Sequence, residues 1–244
     1  MGYPSLPGPA MPIFRIPREL LFPDPSLAEP SGLLGVGGDL SPQRMILGYQ
    51  RGIFPWYSAG QPILWWSPDP RMVLYPEQLV VPRSLAKRIR QRRYEITLDR
   101  AFSDVIARCA TVRRPGQDGT WLTPAMMRAL QQLHELGYAH SCEAWAEGKL
   151  VGGLYGVAVG RFFSGESMFA DAPDASKVAF VHWVRQLERW GYPLVDCQVH
   201  TEHLERFGGM EIARTRYLDE VGRLAEAEGR LGKWSFDHRF YIDG

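Results

Sequence analysis

Apolar residues recur with two different periods along this 244-residue chain, and the change of period organises it. Early on, the pattern is broken by turn formers. The stretch from Phe22-Pro23-Asp24-Pro25 to Gly35-Val36-Gly37-Gly38-Asp39-Leu40 is dense in proline and glycine and predicts turns. Ser41-Pro42 then offers an N-cap followed by proline at the first helical position, with Gly52 as a stop, so a short helix is expected over 42–51. From 53 to 69, Phe54, Trp56, Tyr57, Trp65 and Trp66 alternate with Pro55, Pro62 and Pro68, which excludes a regular helix. Thr123-Pro124 repeats the cap signal, and Met127, Leu130 and Leu133 follow at helical spacing until Gly137. Beyond residue 140 the period drops to two. Strands are expected over 141–146, 150–159 and 162–169, joined at Glu147-Gly148 and Gly160-Arg161 into an antiparallel meander. A helix over 175–190, a strand over 194–199 and a short helix over 202–207 complete the reading.

The expected fold is mixed α/β (α+β). A small N-terminal domain with a Pro-rich arm covers residues 1–70, and a larger domain with a mostly antiparallel sheet covers 71–244. The order meander, helix, strand is similar to the core of the N-acetyltransferase superfamily, which implies an acyltransferase-like fold but no particular function. If 194–199 returns parallel to 162–169 after the helical crossover, these two strands are neighbours.

Both of those strands carry a carboxylate among apolar residues. Ser164, Glu166 and Met168 are expected on one face of the first, and Leu194, Asp196 and Gln198 on one face of the second. An unpaired charge there costs several kcal/mol or neutralises itself by a pKa shift, unless a cation or hydrogen-bond donors meet it. A cationic substrate is one partner. An Arg or Lys of the same fold is the other.

Composition narrows the classes further. Lys plus Arg number 28 against 27 Asp plus Glu, so overall charge announces neither nucleic acid nor membrane. Cys109, Cys142 and Cys197 form no C-x-x-C pair and leave an odd count, which argues against a disulfide framework or zinc site and suits a reducing cytoplasm. No apolar run approaches the ~20 residues that span a bilayer, and no signal peptide opens the chain, so a cytoplasmic protein without a membrane partner is expected. His200-Thr201-Glu202-His203 sets two histidines three apart, but a catalytic zinc needs a third ligand. Cys197 reads as a buried small hydrophobe. The one concentrated charge lies from Arg83 to Arg93. On a helix, Arg83, Lys87 and Arg90 share a face while Leu85 and Ile89 turn to the core. Such a face is either simply solvated or suited to RNA phosphates.

Six blocks carry a resemblance: Gly35-Val36-Gly37-Gly38-Asp39-Leu40-Ser41, Tyr49-Gln50-Arg51-Gly52-Ile53-Phe54-Pro55-Trp56, Trp65-Trp66-Ser67-Pro68-Asp69-Pro70-Arg71, Gly119-Thr120-Trp121, Gly165-Glu166-Ser167-Met168-Phe169 and Asp196-Cys197-Gln198. Together they resemble the leucyl/phenylalanyl-tRNA–protein transferases, from about residue 23 to 218. The resemblance implies transfer of Leu or Phe, and less readily Met, from aminoacyl-tRNA to a protein that begins with Arg or Lys, marking it for degradation by the N-end rule pathway. It implies Glu166, Asp196 and Gln198 at the acceptor and reaction centre, Trp56 and Trp121 near the terminal adenosine, and Met168, Phe163 and Leu154 around the transferred side chain. It also implies that Arg83, Lys87, Arg88, Arg90, Arg92 and Arg93 meet the tRNA. The run Val199-His200-Thr201-Glu202-His203 departs from the family, where an Asn-Asp pair precedes the histidine, and the tail beyond Leu218 matches no family block.

Aminolysis of an ester requires no cofactor, metal or covalent enzyme intermediate; it requires orientation and the removal of one proton. Asp196, directly or through the Gln198 amide, is expected to orient the attacking amine and help it lose that proton. Two rivals are weighed. A coenzyme A-dependent N-acetyltransferase would need a glycine-rich phosphate loop where this chain has the acidic Ala170-Asp171-Ala172-Pro173-Asp174-Ala175. A non-catalytic RNA-binding module would use only the basic segment and the tryptophans.

Overall fold

The computed structural model describes residues 13–112 and 122–237. In chain order its elements are β1 (Phe14–Ile16), β2 (Leu33–Gly37), α1 (Pro42–Gln50), β3 (Phe54–Pro55), β4 (Leu64–Trp66), β5 (Arg71–Leu74), α2 (Arg83–Arg90), β6 (Glu95–Leu98), α3 (Phe102–Thr111), α4 (Pro124–Glu135), β7 (Ala139–Ala146), β8 (Lys149–Val159), β9 (Phe162–Ala170), α5 (Ala175–Arg189), β10 (Leu194–Gln198), α6 (Glu202–Glu205), β11 (Met210–Ile212) and α7 (Arg214–Glu226). The fold is mixed α/β. A small sheet in the order β1-β2-β4-β3 precedes a seven-stranded sheet in the order β11-β5-β10-β9-β8-β7-β6.

The large sheet realises the expected meander. β7, β8 and β9 are antiparallel neighbours, α5 crosses over, and β10 returns parallel to β9. The two acid-bearing strands are therefore adjacent. The hairpin between β7 and β8 turns on Glu147 and Gly148, both at positive φ (51° and 74°), as a two-residue turn matched to strand twist requires. Thr123 caps α4 by accepting from the Met126 N–H, and Met126, Leu130 and Leu133 of that helix are buried. Ser41 behaves differently. Its hydroxyl caps nothing, and its own N–H donates to Asp39 Oδ1 at 2.8 Å instead.

The large sheet separates two apolar cores. On one side, side chains of α1, α3, α4 and α7 and of the small sheet pack with Tyr155, Val157, Phe162 and Leu194. On the other, α2 and α5 pack with Leu154, Phe163 and Val195 around Trp234. The tail that matched no family block is thus structural. Trp234 stacks on His140 at 3.6 Å between ring centroids, and its backbone N–H donates to Asp99 at 2.7 Å.

Simple alternation fails at one place. Tyr155 pairs with Ser167 but Gly156 with Gly165, so Glu166 is an extra residue bulged out of β9. A Cβ on Gly156 would lie 2.1 Å from the Ser164 carbonyl oxygen, so only glycine lets the strands close here. The bulge shifts the phase of β9. Ser164, Glu166 and Met168 do not share a face: Ser164 bonds to Asp196 beside Tyr217, whereas Met168 packs against the opposite core. Among the described residues no helix is long and apolar enough to cross a membrane.

Candidate active site

The parallel ladder between β9 and β10 runs from Leu194↔Phe162 to Asp196↔Ser164 and stops. Beyond it both strands are irregular. β9 carries the Glu166 bulge, and β10 carries an extra Cys197, since Asp196 faces Val73 while Gln198 faces Met72 on β5. Gln198 sits at φ +64°, a left-handed conformation uncommon for a residue with a Cβ. A cavity of about 320 Å³ opens where the pairing ends. Its wall comprises Glu166 and Met168 from β9, Cys197 and Gln198 from β10, Phe54, Pro55 and Trp56 from the small sheet, and Val199, Thr201, His203 and Leu204 around α6.

Asp196 does not face this cavity as an open charge. It is buried, and Arg71 of β5 grips it with both arms of the fork: Nε to Oδ1 at 2.8 Å and Nη2 to Oδ2 at 2.7 Å. Tyr217 of α7 donates to Oδ2 at 2.9 Å, Ser164 to Oδ2 at 3.1 Å, and the Gln198 N–H to Oδ1 at 2.9 Å. A carboxylate offers about four lone-pair sites, so five donors saturate it. The expectation that Asp196 meets a cationic substrate, or itself takes a proton, is corrected here: an internal guanidinium already holds it. Burial alone would pull the Arg71 pKa down, but Asp196, Tyr217 and Glu166 together outweigh it and the net direction is upward, so the guanidinium keeps its charge.

Glu166 is the opposite case. No cation pairs with it among the described residues, and both of its hydrogen bonds fall on Oε1, from the Tyr49 hydroxyl and from Gln198 Nε2, each at 2.9 Å. Oε2 has no protein donor among the described residues. Burial pushes the Glu166 pKa up to about 7, with the Asp196 charge adding to the rise, while the bonds from Tyr49 and Gln198 and the Arg71 charge pull it back. One carboxylate is locked; the other titrates near neutrality at the cavity wall.

The remaining expected residues divide. Met168 lines the cavity, and so does Trp56, which is 38 % exposed and lies 5.8 Å from the Trp66 ring. Leu154 and Phe163 do not line it. Leu154 of β8 is buried opposite Met168, and Phe163, which precedes the bulge and alternates with Ser164, is buried against Trp183 in the second core. Trp121 lies outside the described residues. Cys197 lines the wall, but burial drives its thiol pKa far up, which leaves it a packed hydrophobe. Along α2, Leu85 and Ile89 are buried as expected, and Arg83, Lys87, Arg90, Arg92 and Arg93 are exposed. Arg88 is drawn aside to pair with Asp174 at 2.6 Å. His200 pairs with exposed Glu205 at 3.3 Å, and among the described residues no group of three or more His, Cys, Asp or Glu is set to hold a metal ion.

Sequence reading missed Tyr49, Arg71, Tyr217 and His203. A signal existed for two of them: Tyr49 and Arg71 each end or begin one of the unusual blocks, and Arg71 heads an otherwise apolar strand. His203 stood in the two-histidine run weighed only for a metal, and Tyr217 gave no signal.

Two family models match the chain. One, described as the leucyl/phenylalanyl-tRNA protein transferase N-terminal domain, covers residues 38–69, and the other, leucyl/phenylalanyl-tRNA protein transferase, covers residues 73–222. Both describe aminoacyltransferases, enzymes of the acyltransferase class. Among curated proteins the chain is similar to a leucyl/phenylalanyl-tRNA–protein transferase of Anaeromyxobacter sp. (strain Fw109-5), 60 % identical over 227 residues, covering 93 % of this chain and 97 % of that one. Proteins of the same name from Syntrophobacter fumaroxidans (58 % identity; 85 % and 89 % covered) and Myxococcus xanthus (56 %; 92 % and 97 %) are comparably similar. The chain belongs to the leucyl/phenylalanyl-tRNA protein transferase family.

Proposed function

We propose that this enzyme transfers leucyl or phenylalanyl groups, and methionyl less readily, from aminoacyl-tRNA to cytoplasmic proteins that begin with Arg or Lys, marking them for degradation. The observation that carries the reading is the half-open carboxylate of Glu166 in a mostly apolar cavity. The acceptor amine attacks the ester carbonyl carbon, a C–N bond forms as the C–O bond to the ribose breaks, and the proton lost by nitrogen is balanced by the one the ribose oxygen gains. An ordinary α-amino group has a pKa near 8, so a useful share of acceptor is neutral at physiological pH.

In this reading the two units divide the labour. The one up to residue 70 supplies Trp56, on which the terminal adenosine stacks together with Trp121, and the one from residue 71 supplies Glu166, Gln198 and Met168. Glu166 holds the cationic acceptor terminus. Asp196 works through Gln198, whose N–H it fixes and whose amide then meets Glu166. Met168 adapts to Leu, Phe or Met, with Leu154 and Phe163 backing the wall. The exposed cations of α2 steer the acceptor stem, with Arg92 and Arg93 continuing the stripe and Arg88 contributing less because Asp174 engages it.

A coenzyme A-dependent acetyltransferase is disfavoured by charge. The β9–α5 connection, where a pyrophosphate would need N–H donors, carries Asp174 at φ +61° with its carboxylate between Arg88 and Lys177. The deciding experiment mixes the protein with labelled Leu-tRNA and an Arg-initiated peptide. RNase-sensitive transfer of label supports the reading; label that stays on the tRNA while the tRNA binds leaves an RNA-binding module.

A further inference from the structure

Residues Trp65 to Arg71 form an unusual block, yet no side chain from it lines the cavity. Its contacts instead lead to the cavity from behind. Asp69 Oδ1 accepts from the Arg214 N–H at 2.9 Å at the start of α7, and the Ser67 carbonyl accepts from Arg214 Nη1 at 2.7 Å. The segment therefore fixes the helix that carries Tyr217. Arg71, two residues beyond Asp69, and Tyr217, three beyond Arg214, then converge on Asp196 and on each other, Arg71 Nη2 donating to the Tyr217 hydroxyl at 3.2 Å. The Arg71 guanidinium lies 4.4 Å from the Tyr217 ring and 4.8 Å from the ring of Phe54, which is cavity wall. Arg71 thus braces both sides of the cavity.

We infer that Arg71 and Tyr217 are positioning residues of the transfer reaction, acting through Asp196 to hold Gln198 against Glu166. The chain of contacts is continuous. Asp196 Oδ1 takes the Gln198 N–H while that residue sits at its unusual positive φ, and in that conformation the Gln198 amide reaches Glu166. A buried carboxylate free to rotate would release both. The guanidinium fork and the phenol together leave Asp196 one orientation. This inference rests on the function proposed above.

Tyr217→Phe and Arg71→Lys test it in the full-length enzyme. Tyr217→Phe keeps the ring under Arg71 and removes one oxygen; Arg71→Lys keeps the charge but cannot span both Asp196 oxygens. With labelled Leu-tRNA and an Arg-initiated peptide, kcat is expected to fall about 10-fold for Tyr217→Phe and about 100-fold for Arg71→Lys. KM for Leu-tRNA stays within about two-fold, since neither residue reaches the donor side. A second readout separates positioning from mere support. Glu166 is faced by Tyr49 of α1, Asp196 and Gln198 of β10, Arg71 of β5 and, across the cavity, His203 of α6. Because the Gln198 bond favours the ionised form of Glu166, loosening it moves the acid limb of kcat/KM to higher pH in both variants. Gln198→Ala gives the same shift, and adding Tyr217→Phe to it costs little more. The inference is overturned if both variants transfer at wild-type rates, or if kcat falls with the acid limb unmoved and the losses in Tyr217→Phe and Gln198→Ala multiply. Failure of the wild-type enzyme to transfer label would instead overturn the proposed function.

Discussion

Asp196 and Glu166 sit on adjacent strands, each a carboxylate inside apolar surroundings, and they are handled in opposite ways. Asp196 accepts five hydrogen bonds, two of them from one guanidinium, and is buried. Glu166 accepts two, neither from a charged group, both on one oxygen. The first arrangement gives a fixed geometry and gives up reactivity; the second keeps an oxygen available at the expense of stability. A charge that is fully satisfied inside the fold cannot also serve a substrate, so the number of donors separates the two roles better than burial does.

That contrast can be broken at either end. The largest effect is expected from Asp196→Asn, which leaves the buried Arg71 guanidinium without its counter-charge. Unfolding should become easier by about 3–5 kcal/mol, measured by denaturant titration, and transfer should fall by about 100-fold or more. Removing the Asp196 charge also takes away one force that raises Glu166, so any residual activity should have its acid limb at lower pH. A variant as stable as the wild type would mean that the pair is not ionic.

Glu166→Gln should do the reverse to stability while still harming transfer. The folded pKa near 7 lies above the ordinary carboxylate value of 4.5, so the folded state binds more protons than the unfolded one between them and loses stability as pH rises through that window. Above pH 7 the glutamine variant should therefore be more stable, by on the order of 2 kcal/mol. Below pH 4.5 the gain should vanish. Activity should drop by about 100-fold, and the acid limb near pH 7 should disappear from kcat/KM. A retained limb would assign it to another group.

Trp56→Ala tests the donor side, which both carboxylates are expected to leave alone. Loss of one stacking surface, worth ~1–3 kcal/mol, should raise KM for aminoacyl-tRNA roughly 10-fold or more with kcat little changed. A change in the KM for the acceptor peptide instead would place Trp56 on the wrong side of the reaction.

The smallest effect concerns α2. Replacing Arg83, Lys87 and Arg90 by Ala should weaken tRNA binding uniformly and flatten the log K against log salt slope by about one for each phosphate left without its cation. Arg88→Ala should change the slope least, since Asp174 already holds it. Equal slopes for all four variants would return α2 to a plain solvated face.

Much of the fold was legible because it rests on local rules. The meander, the caps at Thr123 and the stops at Gly137 and Gly191 depend on residues a few positions apart. Elements that escaped, such as β5, β11 and α7, are short or strongly charged and are held by distant partners: Asp69 meets the start of α7 from 145 positions away. The candidate site was legible as a set of residues and illegible as an arrangement. Both acids, Gln198, Met168 and Trp56 were named from strand position and block resemblance, while Phe163 and Leu154, named from the resemblance alone, turn out to pack in the second core and not along this cavity.

What the sequence determined alone, then, is which chemistry is present: two misplaced carboxylates, an amide, clustered aromatics and a basic helix, all fixed by residue type and short-range periodicity. What only the tertiary structure decided is which carboxylate is occupied. Arg71 and Tyr217 reach Asp196 from 125 and 21 positions away, and no local pattern says which of two acids a guanidinium arriving from another strand will meet. Local propensity falls off within a few residues, whereas the pairing of buried charges is settled by the whole packed fold.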